Sequence, residues 1–373
     1  MTLIEKKIKN LTQKVDVTRQ ELQDLCVELS HEQSNIFINW CTRLGKSKCI
    51  MEIVKSHGFK KVLFVCSQNV HIKNFQDDCK KFDFDLTPYT FICWNSYGKY
   101  VGHWDAIIQD EFDHSIDNHI AFLESTKVTF EHVYFLTATV SPDQESKLKE
   151  VINYFKWSIS SSQAMDWKIL PLPTVYLKPI TLNKSQDLHL KNIERYLEKL
   201  KEEADVKGWN NTVDDKLVPS WEALKVLKKG NERKAFFQSV KTNWFISDNI
   251  FNRLKDKRTI FFLPDINDNK RLGNSVSSLE SSKANNKVLE DFNNGKISYI
   301  VSKKILIRGV NLYNINFGYF GFIDMNGTSL IQSTARVLLG VAPNIIIPYV
   351  KNSKEEQVLE RFLHNFKCTI KYF

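Results

Sequence analysis

Between residues 35 and 140, short runs of β-branched and aromatic residues alternate with amphipathic stretches. The runs are "NIFIN", "KVLFVC", "YTFICW", "WDAIIQ" and "HVYFL", each followed by polar or small residues and most by a helical pattern. This alternation predicts a parallel sheet covered by helices. Ligands of such sheets gather at the carboxyl ends of the strands.

The proline-punctuated segment "WKILPLPTVYLKPITL", 167 to 182, reads as an extended crossing between domains. Residues 187 to 256 are helical in pattern and heavily charged, as in "LHLKNIERYLEKLKEEA". From 259 the strand and helix alternation resumes with "TIFFL", "NKVLEDFNN", "SYIVS", "FGYFGFI", "SLIQSTARVLL", "NIIIPYV", "EEQVLERFLHNF" and "CTIKYF". The expected organisation is two α/β units in tandem, 1–165 and 166–373, with a helical insertion at about 184–256. No repeat of solenoid period and no low-complexity tract is present.

Three short motifs follow strands of the first unit. Gly45-Lys46-Ser47 comes after "NIFIN" and opens the amphipathic stretch "SKCIMEIVKSH". Strand, turn and helix is the context of a phosphate-binding loop, because backbone N–H groups and the helix N-terminus then face the anion. Lys46 would reach the β and γ phosphates and Ser47 would ligate Mg²⁺. Taken alone, the tripeptide is more often an ordinary basic turn.

In "WDAIIQDEFDHS" a strand ends in Asp110-Glu111. There Asp110 can hold Mg²⁺ through water while Glu111 polarises an attacking water; the alternative is a solvated acidic turn. In "VYFLTATVSP", Thr137-Ala138-Thr139 ends another strand, and its hydroxyls are candidates for linking the nucleotide site to a second domain. A turn without function is the alternative.

Composition narrows the picture further. The 373 residues suffice for two domains with their own cores, and 42% hydrophobic and 12% aromatic content indicates a globular chain. Lys and Arg outnumber Asp and Glu by 52 to 43, and the resulting +9 favours a polyanionic partner without specifying one. The seven cysteines include no C-x-x-C pair, which points away from zinc and disulfides and towards a reducing cytosol. The start "MTLIEKKIKNLTQK" has no export-type apolar core, and no apolar run approaches a membrane span. The expectation is a cytoplasmic protein without a membrane partner.

Taken in order, "RLGKS", "DEFD" and "TAT" resemble motifs I, II and III of superfamily 2 helicases and translocases. "TIFFLPD" sits where motif IV would, "VSKKILIRGVNL" resembles motif V and "QSTARVLL" motif VI. The stretch "NKVLEDFNNGKISYIVS" is similar to the segment before motif V in phage and restriction-type members. The resemblance spans about residues 18 to 350, apart from the insertion.

This resemblance implies two tandem RecA-like lobes, with the helical insertion between motifs III and IV, and an ATP- and Mg²⁺-dependent enzyme acting on nucleic acid. It assigns phosphate binding to Gly45, Lys46 and Ser47, Mg²⁺ to Ser47 and Asp110, and water activation to Glu111. Gly309 matches the motif V glycine near the γ-phosphate; Gln332 and Arg336 match the motif VI glutamine and an arginine that reaches that phosphate across the cleft. Coupling falls to Thr137 and Thr139. Strand contacts fall to Ser67, Gln68, Asn95, Ser96, Pro264, Asp265, Ser302 and Lys303, with Trp94 as a stacking or core residue.

Gln20 is the candidate adenine-reading glutamine, or an exposed helical residue. The implied partner is single-stranded or forked DNA, with replication or recombination proteins, for a monomer in the cytoplasm, the host's if the source is viral.

The chain departs from the family at Trp40 and Arg43, where small residues or glycine are usual, at Asn311 in place of Asp, and at Leu339 in place of the second motif VI arginine. Arg336 is then the single finger candidate of that motif, which leaves room for slow turnover. An RNA helicase, a P-loop phosphotransferase and a non-hydrolysing nucleic-acid-binding relic of the fold are the alternatives. The phosphotransferase reading gives the second α/β unit no task.

Overall fold

A computed structural model describes residues 3–114, 116–138, 140–213, 216–264, 271–277, 280–302, 312–323, 330, 334, 337–338, 340 and 342–373. The chain divides into two compact units, one running through Leu172 and the other beginning at Pro173.

The first unit is built on β1 (Asn35–Trp40), β2 (Val62–Cys66), β3 (Tyr89–Cys93), β4 (Gly102–Asp110), β5 (Val128–Thr137) and β6 (Phe155–Ile159). Among the described residues these six form one sheet in the order β3-β2-β4-β5-β1-β6, with every pair parallel. Parallel neighbours require crossovers, which helices Lys46–His57, Asn69–Lys81, Ile116–Leu123 and Pro142–Val151 help to supply. β2 is buried at every position, so both faces of the sheet are covered there, and its sequence runs apolar instead of alternating. Phe37, Leu63, Val65 and Phe135 share one core with Phe112.

The second unit carries β7 (Thr174–Ile180), the antiparallel hairpin β8 (Asn210–Val213) and β9 (Lys216–Pro219), then β10 (Thr259–Phe262), β11 (Ser275–Val276), β12 (Tyr299–Ser302), β13 (Phe317–Phe320), β14 (Asn344–Val350) and β15 (Thr369–Tyr372). Apart from the hairpin, these strands form a parallel sheet in the order β11-β12-β10-β13-β14-β7-β15 among the described residues. The proline-punctuated segment expected to be a crossing therefore supplies β7, an inner strand. Its Pro179 is tolerated because β15 pairs only with Thr174 to Leu177, leaving β14 alone beside the proline. Pro348 in β14 likewise lies past the end of the pairing with β13, which stops at Ile346.

The insertion is two long helices, Lys184–Lys207 and Trp221–Ser247, joined through the hairpin. They pack on each other through Leu197, Leu200, Ala204 and Val226. Nearer the sheet, Leu190, Phe237 and Val240 meet Val350, while Trp244 and Phe245 join Phe261, Tyr319 and Ile346. Fully buried Lys241 pairs there with Glu355 of helix Lys354–Asn365, whose second oxygen accepts the Val350 N–H at 3.2 Å. Among the described residues no helix is long and apolar enough to cross a membrane.

Candidate functional site

After β1 the chain turns through Arg43 (φ 76°) and Gly45 (φ 84°) before helix Lys46–His57 begins. Both residues lie in the left-handed region, which glycine adopts at no steric cost and arginine does not. Gly45 is also required for space, since a Cβ there would lie 2.4 Å from Gln23 Nε2. Gln23 is buried on helix Arg19–Glu32, with its amide 3.5 Å from the Gly45 carbonyl. From the same helix, Arg19 Nε donates to the Arg43 carbonyl at 3.1 Å and Nη2 to the Ile169 carbonyl at 3.0 Å. The N-terminal helix thus braces the turn from behind.

Trp40, at the position where a first loop glycine would stand, is fully buried and meets Trp157 edge to face at 5.1 Å. The core, not the loop, takes up its bulk. Lys46 Nζ donates to the Trp40 carbonyl at 2.8 Å, which folds the side chain back over the turn it follows. Ser47 occupies the first helical turn, where N–H groups without intrahelical partners and the positive end of the dipole favour an anion.

Strand register brings the acidic pair to the same edge. Asn39 of β1 is level with Thr137 of β5, and Leu136 of β5 is level with Asp110 of β4. The Gly-Lys-Ser turn and the Asp110-Glu111 turn therefore leave the sheet side by side, separated by one strand. Glu111 has φ 52°, a strained conformation for a residue with a side chain, and it redirects the chain into the short 3-10 helix Phe112–His114. Thr137 is fully buried and donates to Asp113 Oδ1 at 2.8 Å, while Gln144 Nε2 donates to the Asp113 carbonyl at 2.6 Å. The hydroxyl expected to link two domains has a partner within its own unit.

Burial raises the Asp110 carboxyl to about 7; the adjacent Glu111 charge adds to this, and the Lys46 cation opposes it. Burial of the carboxyl is thus only partly offset by Lys46, and a further cation beside it would favour its charged form. A hard divalent cation fits such a place: Ser47 Oγ and an Asp110 oxygen are the ligand types Mg²⁺ takes when phosphates and water complete its shell. Among the described residues no group of three or more His, Cys, Asp or Glu forms an all-protein metal cage, a pattern Mg²⁺ at phosphate sites does not need. Burial also pushes the neighbouring Cys41 thiol up to about 11, against the pull of Lys46.

No protein-family model matches the chain, and no curated protein matches it by sequence. Solved structures do. The helicase domain of Hef from Pyrococcus furiosus superposes over 97% of this chain and 100% of its own, with a TM-score of 0.57 and 12% identity. Dbp5 from S. cerevisiae, solved bound to RNA and ADP BeF3, superposes over 99% of this chain and 93% of its own, with a TM-score of 0.59 and 10% identity. The fold is that of tandem RecA-like helicase domains.

Within this helicase fold the expected strand-contacting residues divide. Ser67 is half-buried and Gln68 exposed at the start of helix Asn69–Lys81, where Gln68 serves as N-cap without a side-chain cap bond. Asn95 is exposed and Ser96 half-buried on the 3-10 segment Trp94–Lys99; Trp94 packs partly into the Phe37 core, as a core aromatic does. Pro264 is buried. Ser302 is fully buried, and its hydroxyl donates to the Val276 carbonyl at 3.0 Å. Thr139, Asp265, Lys303, Gly309, Asn311, Gln332, Arg336 and Leu339 lie outside the described residues.

Gln20 donates to Asp24 and accepts from Lys48 at the surface, as an exposed helical glutamine does. Gln23 is the glutamine against the loop. The helical period carried the signal, because Gln23 falls in register with buried Cys26 and Ser30 whereas Gln20 does not. Asp113, the partner of Thr137, was visible as the last residue of "DEFD".

Proposed function

We propose that the chain is a nucleic-acid-dependent ATPase that couples ATP hydrolysis to movement on, or remodelling of, a strand. The observation that carries this reading is the strand register that sets the Gly45-Lys46-Ser47 turn beside Asp110-Glu111, with Thr137 between them. Lys46 and the turn's N–H groups hold the phosphates. Ser47 and Asp110 would hold Mg²⁺, which when bound would supply charge neutralisation for phosphoryl transfer. Glu111 polarises the attacking water. The bond from Thr137 to Asp113 keeps the Glu111 turn in place.

Gln332 and Arg336 of motif VI and Gly309 of motif V are the residues proposed to act at the γ-phosphate, and hydrolysis changes the grip on the strand. Ser67, Gln68, Asn95, Ser96, Pro264, Asp265 and Lys303 track the backbone, consistent with the net charge of +9. Single-stranded or forked DNA is the first substrate. RNA is the second, favoured by the similarity to Dbp5, a protein solved with RNA bound.

The test is ATP turnover without nucleic acid and with single-stranded DNA, duplex DNA or RNA. Stimulation by a strand, abolished by Glu111→Gln, is expected. Turnover that no nucleic acid alters favours a phosphotransferase, and nucleotide-independent strand binding without turnover favours the non-hydrolysing alternative.

A further inference from the structure

We propose that a cavity in the second lobe receives one unpaired base of the bound strand; this rests on the nucleic-acid reading above. The cavity holds about 220 Å³. Leu263 and Pro264 directly follow β10, and Gly321 directly follows β13, so the cavity lies at the carboxyl edge of the sheet, where α/β sheets take their ligands. Helix Trp221–Ser247 closes the other side.

The walls suit a flat ring. Phe245 and Tyr319 back the cavity as nearly buried rings with centroids 4.8 Å apart, and half-buried Leu272 and exposed Ile246 give it the apolar lining that a ligand can reach. Gly321 keeps one wall bare: a Cβ there would crowd the Phe262 carbonyl at 3.0 Å and Leu263 Cδ2 at 3.1 Å. Size selects among aromatic ligands. A dry cavity of about 150 Å³ accepts benzene, so this one has room for a heteroaromatic ring but not for a whole nucleotide.

Charge places the rest of the ligand outside. Lys241 reaches the lining, but its ammonium is committed to Glu355, so among the described residues the interior offers no cation for a phosphate. Arg271 is exposed at the rim and Thr242 half-buried. A neutral ring inside, with an anionic tail meeting Arg271, is the chemistry of a nucleobase on its sugar-phosphate backbone. Every base has an apolar face that stacks on aromatic side chains, so the site is tolerant of sequence.

The experiment measures, by fluorescence anisotropy, the affinity of short single strands of DNA and of RNA that carry one abasic site, moved position by position. One position should weaken binding about tenfold, the scale of a lost base–aromatic contact, while the others change it less than about twofold. Thr242→Trp and Leu272→Phe, each filling the cavity and checked for folding by melting, should weaken the intact strand by a similar factor and erase the position dependence. Strands that bind with equal loss at every abasic position overturn the pocket and leave the strand-binding reading standing. Position dependence that survives in a folded, cavity-filled variant overturns it as well. Absence of strand binding at low salt overturns both readings.

Discussion

Mild acid should weaken the first lobe through a cluster of histidines at the far end of helix Lys46–His57. His57 stacks on His31 at 4.1 Å and on Phe59 at 4.6 Å, and meets His132 edge to face at 4.9 Å. Its Nε2 lies 2.8 Å from Ser30 Oγ, whose own proton goes to the Val27 carbonyl at 2.7 Å, so the ring donates here. His31 Nε2 is 2.8 Å from Ser56 Oγ, and the Glu131 charge pulls His132 the other way. Burial, together with the charges that His31 and His132 would carry, lowers the His57 ring from 6.5 to about 4.

The folded value is depressed, so the stabilisation is fully present above the unfolded pKa. It is lost as pH falls from 6.5 towards 4, where the unfolded chain takes a proton that the folded ring refuses. Full shielding would make the gap worth about 3 kcal/mol. The ring is only half-buried, and water screening brings this to about 1–2 kcal/mol. At pH 5 about 1 kcal/mol should be gone, or about 2–4 °C in Tm for a unit of this size.

The assay compares thermal melts of the parent and His57→Phe from pH 7.5 to 5.0. The variant keeps the stacking and removes the titration, so its curve should be the flatter by that amount. Carboxylates held low in the fold, such as Glu145 beside Lys156 and Lys149, also lose stability in acid but do so in both proteins and cancel. Parallel curves would refute the reasoning.

Two further outcomes test other parts of the fold. Gly45→Ala should cost about 1–2 kcal/mol for the left-handed backbone, plus the displacement of Gln23; adding Gln23→Ala should recover only the second part, and strictly additive melts would count against the contact. Lys241→Met should cost about 3–5 kcal/mol in denaturant unfolding by leaving Glu355 buried and unpaired, and Lys241→Met with Glu355→Gln should regain most of it; a single variant within 1 kcal/mol of the parent would show that the pair carries little.

What could be read from the sequence follows from how local each signal is. β2 announces itself because continuous burial gives a continuous apolar run, β1 and β4 through shorter buried stretches, and the Gly-Lys-Ser turn and the acidic pair stand within one strand–turn unit each. β7 was hidden for the opposite reason. Whether a strand tolerates Pro179 depends on where β15 stops, almost 200 residues further along the chain, between Thr369 and Tyr372. Ser302 and Thr137 show the same limit: the partner of each hydroxyl, the Val276 carbonyl in one case and Asp113 in the other, comes alongside only in the fold.

Trp40 carries this argument to the motif itself. As a letter, tryptophan in place of glycine reads as damage to a phosphate loop, because a large side chain in the loop would exclude the anion. The damage depends on direction, however, and strand alternation sets the direction. Trp40 continues the face of Ile36 and Ile38, so its side chain enters the core beside Trp157, and the loop meets only its backbone carbonyl, which accepts from Lys46. Glycine is favoured where the backbone is left-handed and a side chain would displace a neighbour, as at Gly45, and dispensable where a strand still steers the residue inward. A motif written as a string gives both positions equal weight; the geometry of a strand entering a turn does not.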